Sequence, residues 1–296
     1  MIPTSSVRIC TCEELRGQGG LHPLLEHFVA LGPNGVFDRL IYLDLPSGEF
    51  GLLGASVESG GIAHLQSLVI LPDALREHRM ALWQAGVAWA VSQRPAAIQI
   101  YCSSNAEDRG ILAELGFPVT TEIIVFGADL CESSEPPDAA IRQTSYEREQ
   151  GELASLVGRT LVGSLDIPES IPLHAPDDLL KSWVGKSLAN ETMLLVAEAE
   201  GELVGLLVAT FARYADDITG YKIDYLGVAV DHRRQGWGSR LLRQFWRIAY
   251  AGGVLKASVF TDQRNHPAIQ LYKQFGFQEF EDLRMPIVFQ RLSGGP

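Results

Sequence analysis

The feature that most constrains this chain is an internal repeat, and its first landmark is a turn. In the second half, Glu200-Gly201-Glu202 joins two apolar runs, Leu194–Ala197 and Val204–Phe211. This pattern predicts two strands connected by a tight turn, in which Gly201 supplies the positive φ that such turns need. In the first half, Ser47-Gly48-Glu49 joins two apolar runs in the same way.

The second landmark is a helix with a defined start and stop. Asn265 stands eleven positions before Gly276-Phe277, and Asn105 stands eleven positions before Gly116-Phe117. Asparagine favours the start of a helix and glycine favours its left-handed end. The landmarks recur in order with an offset of about 153 to 160 residues, which indicates a duplicated α+β unit.

A polar segment separates the two repeats. Residues 128–138 are acidic and include the pair Pro136-Pro137, which fixes the backbone and removes hydrogen-bond donors. The sequence therefore predicts one domain over residues 1–127, a linker over 128–139 and a second domain over 140–296.

The composition excludes several classes of protein. Hydrophobic residues make up 46% of the 296 residues, which is enough for a core in each half. The formal net charge of -12 should repel nucleic acid and anionic membranes. The first residues do not resemble a signal peptide and no apolar run reaches 18 residues, so we expect a cytoplasmic protein with free thiols.

Residues 224–242 carry the clearest chemical signal. An apolar strand, Tyr225–Val230, leads into a short loop that contains Gly236 and Gly238, and an amphipathic helix follows. Glycines allow backbone N–H groups to surround an anion, and the start of a helix adds partial positive charge. The segment therefore predicts a cradle for a pyrophosphate group.

Arginines near this cradle permit two interpretations. Arg240, Arg243 and Arg247 share one face of the helix, where they form either a solvated basic surface or a contact to phosphate. Arg233 and Arg234, in the loop itself, are the stronger candidates for phosphate binding.

The run Arg233-x-x-Gly236-x-Gly238 resembles the acetyl-CoA-binding motif of the GNAT superfamily of N-acetyltransferases. The segment from Asn265 to Phe277 is similar to a later motif of that family, and the close resemblance covers about Met193 to Phe289. The resemblance implies an α+β fold with a mixed sheet, arranged as two tandem GNAT-like domains. Each domain would have a mostly antiparallel central sheet flanked by helices.

The resemblance also implies acetyl-CoA as the co-substrate. The residues that it assigns to the cofactor are Val228, Val230, Arg233, Arg234, Gln235, Gly236, Trp237, Gly238, Ser239, Arg240, Asn265 and Tyr272. The two valines would bond to the pantetheine arm through their backbone. No metal site is predicted, because the seven histidines show no paired spacing on a helix face.

Two residues are candidates for proton transfer. By the same resemblance, Tyr272 donates a proton or a hydrogen bond to the CoA sulfur, although it could instead be an aromatic residue that closes the helix. Asp224 matches a general-base position of some relatives, although it could be a strand-end carboxylate in water. Deprotonation of the amine through water is a third possibility.

The acceptor pocket is expected in residues 151–188. This stretch is rich in proline and contains the ionisable residues Asp166, Glu169, His174, Asp177 and Asp178. Its carboxylates could hold a cationic amine, or they could belong to the general acidic surface.

The first repeat lacks the residues that bind the cofactor. Ala74, Glu77 and Arg79 stand where the second repeat has Arg233, Gly236 and Gly238, and Leu112 replaces the tyrosine. A glutamate in the cradle would repel pyrophosphate. We therefore expect the first domain to be a degenerate copy with a structural role.

Three functions remain compatible with the sequence. The first is an enzyme that acetylates a primary amine on a small molecule or a peptide, and the second is an acyl-CoA-binding sensor without turnover. The third is transfer of a longer acyl chain, or of an amino acid from tRNA, and the negative charge opposes the tRNA-dependent version.

Overall fold

The computed structural model describes residues 7–15, 37–45, 49–58, 61–69, 71–72, 75–132, 135–184, 192–213 and 219–292. The chain divides into two compact units. The first unit comprises Met1–Glu122 and Arg284–Pro296, and the second comprises Ile123–Leu283. The predicted turn at Ser47-Gly48 and the position of Ala74 lie outside the described residues.

The first unit is built on a mostly antiparallel sheet. Up to the unit boundary its elements are β1 (Val7–Cys10), α1 (Cys12–Leu15), β2 (Arg39–Asp44), β3 (Phe50–Val57), β4 (Ile62–Val69), α2 (Arg76–Ser92), β5 (Ala97–Tyr101) and α3 (Ala106–Glu114). Strands β1 to β4 are antiparallel neighbours in chain order, and β5 pairs with β4 in parallel. Helix α2 buries Leu82 and Trp83 in the core of this unit.

The second unit repeats this plan. Its elements are β6 (Thr121–Asp129), β7 (Ile141–Thr144), α4 (Tyr146–Leu161), α5 (Pro176–Val184), β8 (Thr192–Ala199), β9 (Glu202–Arg213), β10 (Thr219–Val228), α6 (Trp237–Ala251), β11 (Lys256–Asp262), α7 (His266–Gln274) and β12 (Gln278–Glu279). Strands β7 to β10 are antiparallel neighbours, and β11 pairs with β10 in parallel. The predicted mixed, mostly antiparallel sheet with flanking helices is confirmed.

Strand β9 contacts helices on both faces of this sheet because its successive side chains point to opposite faces. Leu207 and Ala209 belong to the core cluster that includes α6. Leu206 and Val208 belong to the opposite cluster, which includes α4 and α5. The strand reads as an almost continuous apolar run because both of its faces are covered.

The units do not end at the predicted boundaries, because one strand of each unit comes from the other half of the sequence. The last strand, β13 (Met285–Arg291), pairs with β5 of the first unit. Strand β6, which precedes the linker, pairs with β11 of the second unit. The prediction of contiguous domains over 1–127 and 140–296 assumed that each repeat completes its own sheet.

The predicted linker is attached to the second unit rather than extended as a spacer. Its start, residues 128–129, continues β6, and the Leu130 N–H donates to the Leu255 carbonyl. Further on, Asp138 forms ion pairs with Arg240, and Glu135 pairs with Arg243 at 2.9 Å. Two of the acidic residues that suggested a solvated linker are therefore partners of arginines on α6.

The repeat itself is confirmed by the helices that end each copy. The Asn105 side chain accepts from the Glu107 N–H at the start of α3, and the Asn265 side chain accepts from the Ala268 N–H at the start of α7. Both helices stop at a glycine in the left-handed region, with φ of 88° at Gly116 and 80° at Gly276. This conformation favours glycine because a Cβ would be strained there.

The position of β13 predicts which unit depends on it. Replacing the fully buried Ile287 with alanine should lower the free energy of unfolding by about 2–5 kcal/mol. Hydrogen exchange should accelerate in β5, with which β13 pairs, while α6 of the second unit keeps its protection. The same substitution at the exposed Ile9 of β1 is the control and should leave both regions protected. Loss of protection in α6 with β5 unchanged would contradict this assignment.

Candidate functional site

Two neighbouring strands of the second unit separate and leave a cavity. Strand β10 pairs with β11 only from Tyr221 to Ile223, whereas its ladder with β9 continues to Val228. Past Ile223, the edge of β10 that faces away from β9 is therefore not paired with β11. A cavity of about 390 Å³ lies at this opening and is lined by residues 223–228 of β10 and 259–261 of β11.

One hydrogen bond fixes the direction of the backbone groups on this edge. The Ala229 N–H donates to the Val204 carbonyl, toward β9. Since backbone groups alternate in direction along a strand, the N–H groups of Leu226 and Val228 point away from β9, toward the opening. Val228 thus lies on the open edge. Val230 lies in the 3-10 turn that follows and is not part of the cavity lining.

The loop after β10 and the first turn of α6 form the second wall. Gly236 has φ of 85°, and an added Cβ would meet no atom within 4 Å, so the backbone here borders open space. The first intrahelical bond of α6 runs from the Arg240 N–H to the Gly236 carbonyl. The N–H groups of Trp237, Gly238 and Ser239 precede that bond and belong to residues that line the cavity. They form a site suited to an anion.

Arg233 and Arg234 have different environments although they are adjacent. The Arg233 guanidinium donates to the carbonyls of Thr160 at 2.8 Å, Val162 at 2.7 Å and Val228 at 3.1 Å. It ties the end of α4 to the end of β10, so its side chain is already engaged by backbone. Arg234 is exposed, lines the cavity and has φ of 63°.

Gln235 and Arg240 lie outside the cavity lining. The Gln235 side chain donates to the Asp231 carbonyl. The Arg240 guanidinium donates to Asp138 at 2.6 and 2.8 Å and lies 3.9 Å from the centre of the Trp237 ring. Neither interpretation of the basic helix face predicted that acidic residues of the preceding segment would form ion pairs with Arg240 and Arg243.

Tyr272 lies on α7 and is only 4% exposed, yet it lines the cavity. Its ring packs against Phe126 and Phe277. Burial raises the pKa of the Tyr272 phenol well above its usual value, so the hydroxyl keeps its proton at neutral pH. Asn265, at the start of the same helix, also lines the cavity.

Helix α7 lies close to α6 because Gly238 lacks a side chain. A Cβ at this position would come within 3.3 Å of the Leu271 side chain. The second glycine of the motif therefore serves helix packing.

Asp224 lines the cavity at an irregular point of β10. The register with β9 shifts between Ile223 and Tyr225, so Asp224 is the residue at a β-bulge. Its carboxylate is only 4% exposed and both oxygens have partners, Lys222 at 2.7 Å and the Thr210 hydroxyl at 2.6 Å. The expected base is therefore held in an ion pair.

Asp166 also lines the cavity, and sequence reasoning did not single it out from its acidic neighbours. It follows α4 in the loop that also contributes Gly163, Ser164 and Leu165 to the lining. The partners of its carboxylate, Thr261 and Asp262, are about 95 residues away in the chain. No local pattern could have indicated their proximity.

Comparison with known proteins agrees with this geometry. Residues 164–277, which include every residue of the cavity lining except Thr160 and Gly163, match the acetyltransferase (GNAT) family. This match lies entirely within the second unit. The rat (Rattus norvegicus) protein N-acetyltransferase family 8 member 3 is 29% identical over 87 residues, which cover 28% of this chain and 37% of that protein. The chain thus spans little more than a third of that relative.

Solved structures share the GNAT fold over most of the chain. A GCN5-related N-acetyltransferase from Sphaerobacter thermophilus has a TM-score of 0.66 at 17% identity, covering 92% of this chain and 86% of that one. A tandem GNAT protein from the clavulanic acid biosynthesis pathway has a TM-score of 0.52 at 14% identity, covering 87% and 84%. At these identities the likeness concerns the fold, and it confirms the predicted tandem GNAT-like arrangement.

The corresponding place in the first GNAT-like unit is filled by a buried ion pair. Arg79 and Asp108 are 2% exposed, and the Arg79 guanidinium lies 2.8 Å from the Asp108 carboxylate. Arg79 also donates to the Leu71 carbonyl, and Trp83 donates to Asp108. The cavity that remains beside them measures about 10 Å³.

Two further features bear on what the molecule could bind. Within the described residues, no group of three or more histidine, cysteine or carboxylate side chains could hold a metal ion. Among the helices that the structure describes, none combines the length and apolar character needed to cross a bilayer.

The open space at Gly236 gives a direct test of the anion site. Gly236→Glu should weaken acetyl-CoA binding by more than about 100-fold, because the new side chain would extend beside the anion site and bring negative charge. Isothermal titration calorimetry measures the loss. Gly253→Glu is the matched control, since Gly253 also has positive φ, at 79°, with nothing within 4 Å and lies outside this cavity. Normal binding by Gly236→Glu would rule out this cradle.

Proposed function

We propose that the second unit is an acyl-CoA-dependent N-acyltransferase that moves an acetyl group from acetyl-CoA to a primary amine. The observation that carries this proposal is the content of one cavity. It combines the unpaired edge of β10, the first turn of α6 and the buried hydroxyl-bearing residue Tyr272. These three features supply a partner for an extended chain, a site for phosphate and a proton donor.

The proposed binding mode uses backbone groups more than side chains. The pyrophosphate would accept hydrogen bonds from the first-turn N–H groups of α6, with Arg234 as the nearby cation. The pantetheine arm would lie along the open edge of β10 and bond to Leu226 and Val228 as an added strand would. Arg233 would act indirectly, because it fixes the end of this edge against α4.

The proposed reaction is direct attack in a ternary complex. The lone pair of the neutral amine forms the new C–N bond at the thioester carbonyl carbon, and the C–S bond breaks with its electron pair on sulfur. The Tyr272 hydroxyl would protonate the departing thiolate, and its raised pKa suits it to donate at neutral pH. Starting from a protonated amine, one proton ends on the thiol, one stays on the amide nitrogen and one is released.

Catalysis is favoured over a sensor that only binds acyl-CoA. The buried Tyr272 phenol, whose raised pKa keeps it protonated beside the cavity, can supply the proton that a leaving thiolate needs, whereas a module that only binds acyl-CoA needs no such donor. The acceptor, a small-molecule or peptide amine, would enter beside the loop that contains Ser164, Leu165 and Asp166.

The first unit is proposed to bind no acyl-CoA. Its Arg79 side chain stands where the second unit has Gly238, and it fills the interior together with Asp108. Removing one member of such a pair typically costs about 3–5 kcal/mol, because the remaining buried charge loses its partner.

A turnover assay that compares wild-type protein with one conservative variant is the simplest test of the proposal. Release of the CoA thiol is followed with a panel of spermidine, glucosamine, benzylamine and a short peptide that carries a free N-terminus and a lysine. Tyr272→Phe should lower kcat by about 100-fold with little change in acetyl-CoA affinity, because only the proton donor is lost. Tyr250→Phe, on α6 and outside the cavity lining, is the control and should retain full activity.

Two results would count against this assignment. Wild-type protein that binds acetyl-CoA but acetylates none of the amines would favour the sensor. Full activity of Tyr272→Phe would remove the tyrosine from the reaction while leaving the transferase intact.

A further inference from the structure

A second carboxylate besides Asp224 faces the cavity, and it belongs to the loop after α4. Asp166 is an exposed residue that lines the cavity, and the protein atoms around its carboxylate desolvate the charge. A ligand in the cavity can therefore reach it. On the same wall, Leu165 and Phe260 are exposed apolar side chains, 43% and 41% respectively, that offer no competing charge.

The hydrogen bonds of Asp166 are confined to one of its two oxygens. The Asp262 N–H donates to Oδ1 at 2.8 Å, and the Thr261 hydroxyl donates to the same atom at 3.4 Å. Within the part of the chain that the structure describes, Oδ2 accepts no hydrogen bond. The carboxylate is thus fixed in position while one oxygen stays available to a ligand.

A network of charges holds this loop in place. Arg264 contacts Asp262 at 2.6 Å and Glu169 of the loop at 2.6 Å, so it joins the end of β11 to the loop. Ile167, next to Asp166, has φ of 43°, and its N–H donates to Asp262 at 3.3 Å. A β-branched residue in the left-handed region is strained, and such strain persists only where the surroundings enforce it.

Asp224 differs from Asp166 in each of these respects. Both of its oxygens have partners, one of them the Lys222 ammonium, and its side chain is almost fully buried. An amine that approached it would have to displace a cation already in place. Asp166 has no cationic side chain bonded to it within the described residues.

We propose that Asp166, rather than Asp224, is the catalytic base that takes the proton from the ammonium form of the acceptor amine. This inference rests on the proposed transferase function. The ammonium would donate to Oδ2, and the proton would move from nitrogen to that oxygen. The nitrogen lone pair is then free to attack the thioester, and the carboxyl returns its proton to water after the product leaves.

The groups around Asp166 affect the pKa of the proposed base and of the proposed acid. Burial and the neighbouring Asp262 carboxylate raise the pKa of Asp166, against the opposing effect of its hydrogen bonds and of Arg264. The charged Asp166 in turn contributes to the raised pKa of Tyr272. The groups that face it are Tyr225 from β10, Tyr272 from α7, Asp262 from β11 and Arg264 and Glu169 from the network. An ionised base therefore helps to keep the acid protonated.

The pH dependence follows with a definite sign. The base must be ionised, so kcat/KM of the wild-type protein should fall as the pH drops through the pKa of Asp166. This acidic limb of the pH profile should lie at a higher pH than the usual pKa range of an aspartate. At pH values near the pKa of the amine, the acceptor arrives neutral and needs no base.

The test compares Asp166→Asn with wild type, using the panel amine that wild type turns over fastest. At pH 7 we expect kcat to fall by about 100-fold, and we expect the deficit to shrink as the pH approaches the pKa of the amine. Acetyl-CoA affinity, measured by calorimetry, should be unchanged. Asparagine keeps the acceptor for the Asp262 N–H, so Tm should not fall, whereas a purely structural carboxylate would lose stability.

Two further variants separate the alternatives. Asp282→Asn, an exposed position of the second unit outside the cavity lining, should retain wild-type activity. Asp224→Asn should retain the acidic limb of the pH profile. Activity of Asp166→Asn within about threefold of wild type, or loss of that limb in Asp224→Asn instead, would overturn the inference and leave the transferase intact. Absence of turnover by wild-type protein would overturn the transferase proposal itself.

Discussion

Among the described residues, the last five of strand β10 pair with a strand on only one side, and the rest of the site depends on this. Its backbone bonds to β9 as far as Val228, but β11 leaves it after Ile223. Unpaired N–H and C=O groups inside a protein require a partner, because burying them without one costs free energy. Here the open edge borders a cavity, so a ligand with alternating amide groups can complete the sheet. An extended amide-containing chain such as pantetheine meets that requirement.

The surrounding elements keep the edge open and give the cavity its chemical character. Arg233 ties the end of α4 to the end of β10, and Gly238 allows α6 to approach α7, which carries Tyr272. The loop that carries Asp166 is attached to β11 through Asp262 and Arg264. Each unit also takes one strand from the other half of the sequence, so neither repeat completes its sheet alone.

Local signals made the fold and the start of α6 at Gly236 predictable. Asn105 and Asn265 cap helices where the sequence placed them, and Gly236 has the positive φ of a cradle. Features that depend on distant segments were not predictable. The pairing of Arg240 with Asp138, the bonds of Arg233 to the carbonyls of Thr160 and Val162, and the bonds of the Asp166 loop to Asp262 and Arg264 each join residues 70 or more positions apart. The exchange of β6 and β13 has the same origin, since strand pairing is set by the whole sheet.

The central claim is that this tandem chain holds one acyl-CoA site, in its second unit, while a buried ion pair occupies the first. Calorimetric titration of the full chain with acetyl-CoA tests this most directly, because it reports stoichiometry and affinity together. The account predicts one acetyl-CoA per chain. Two bound molecules per chain would show that the first unit binds despite the Arg79–Asp108 pair, and no binding would contradict the assignment of the cavity.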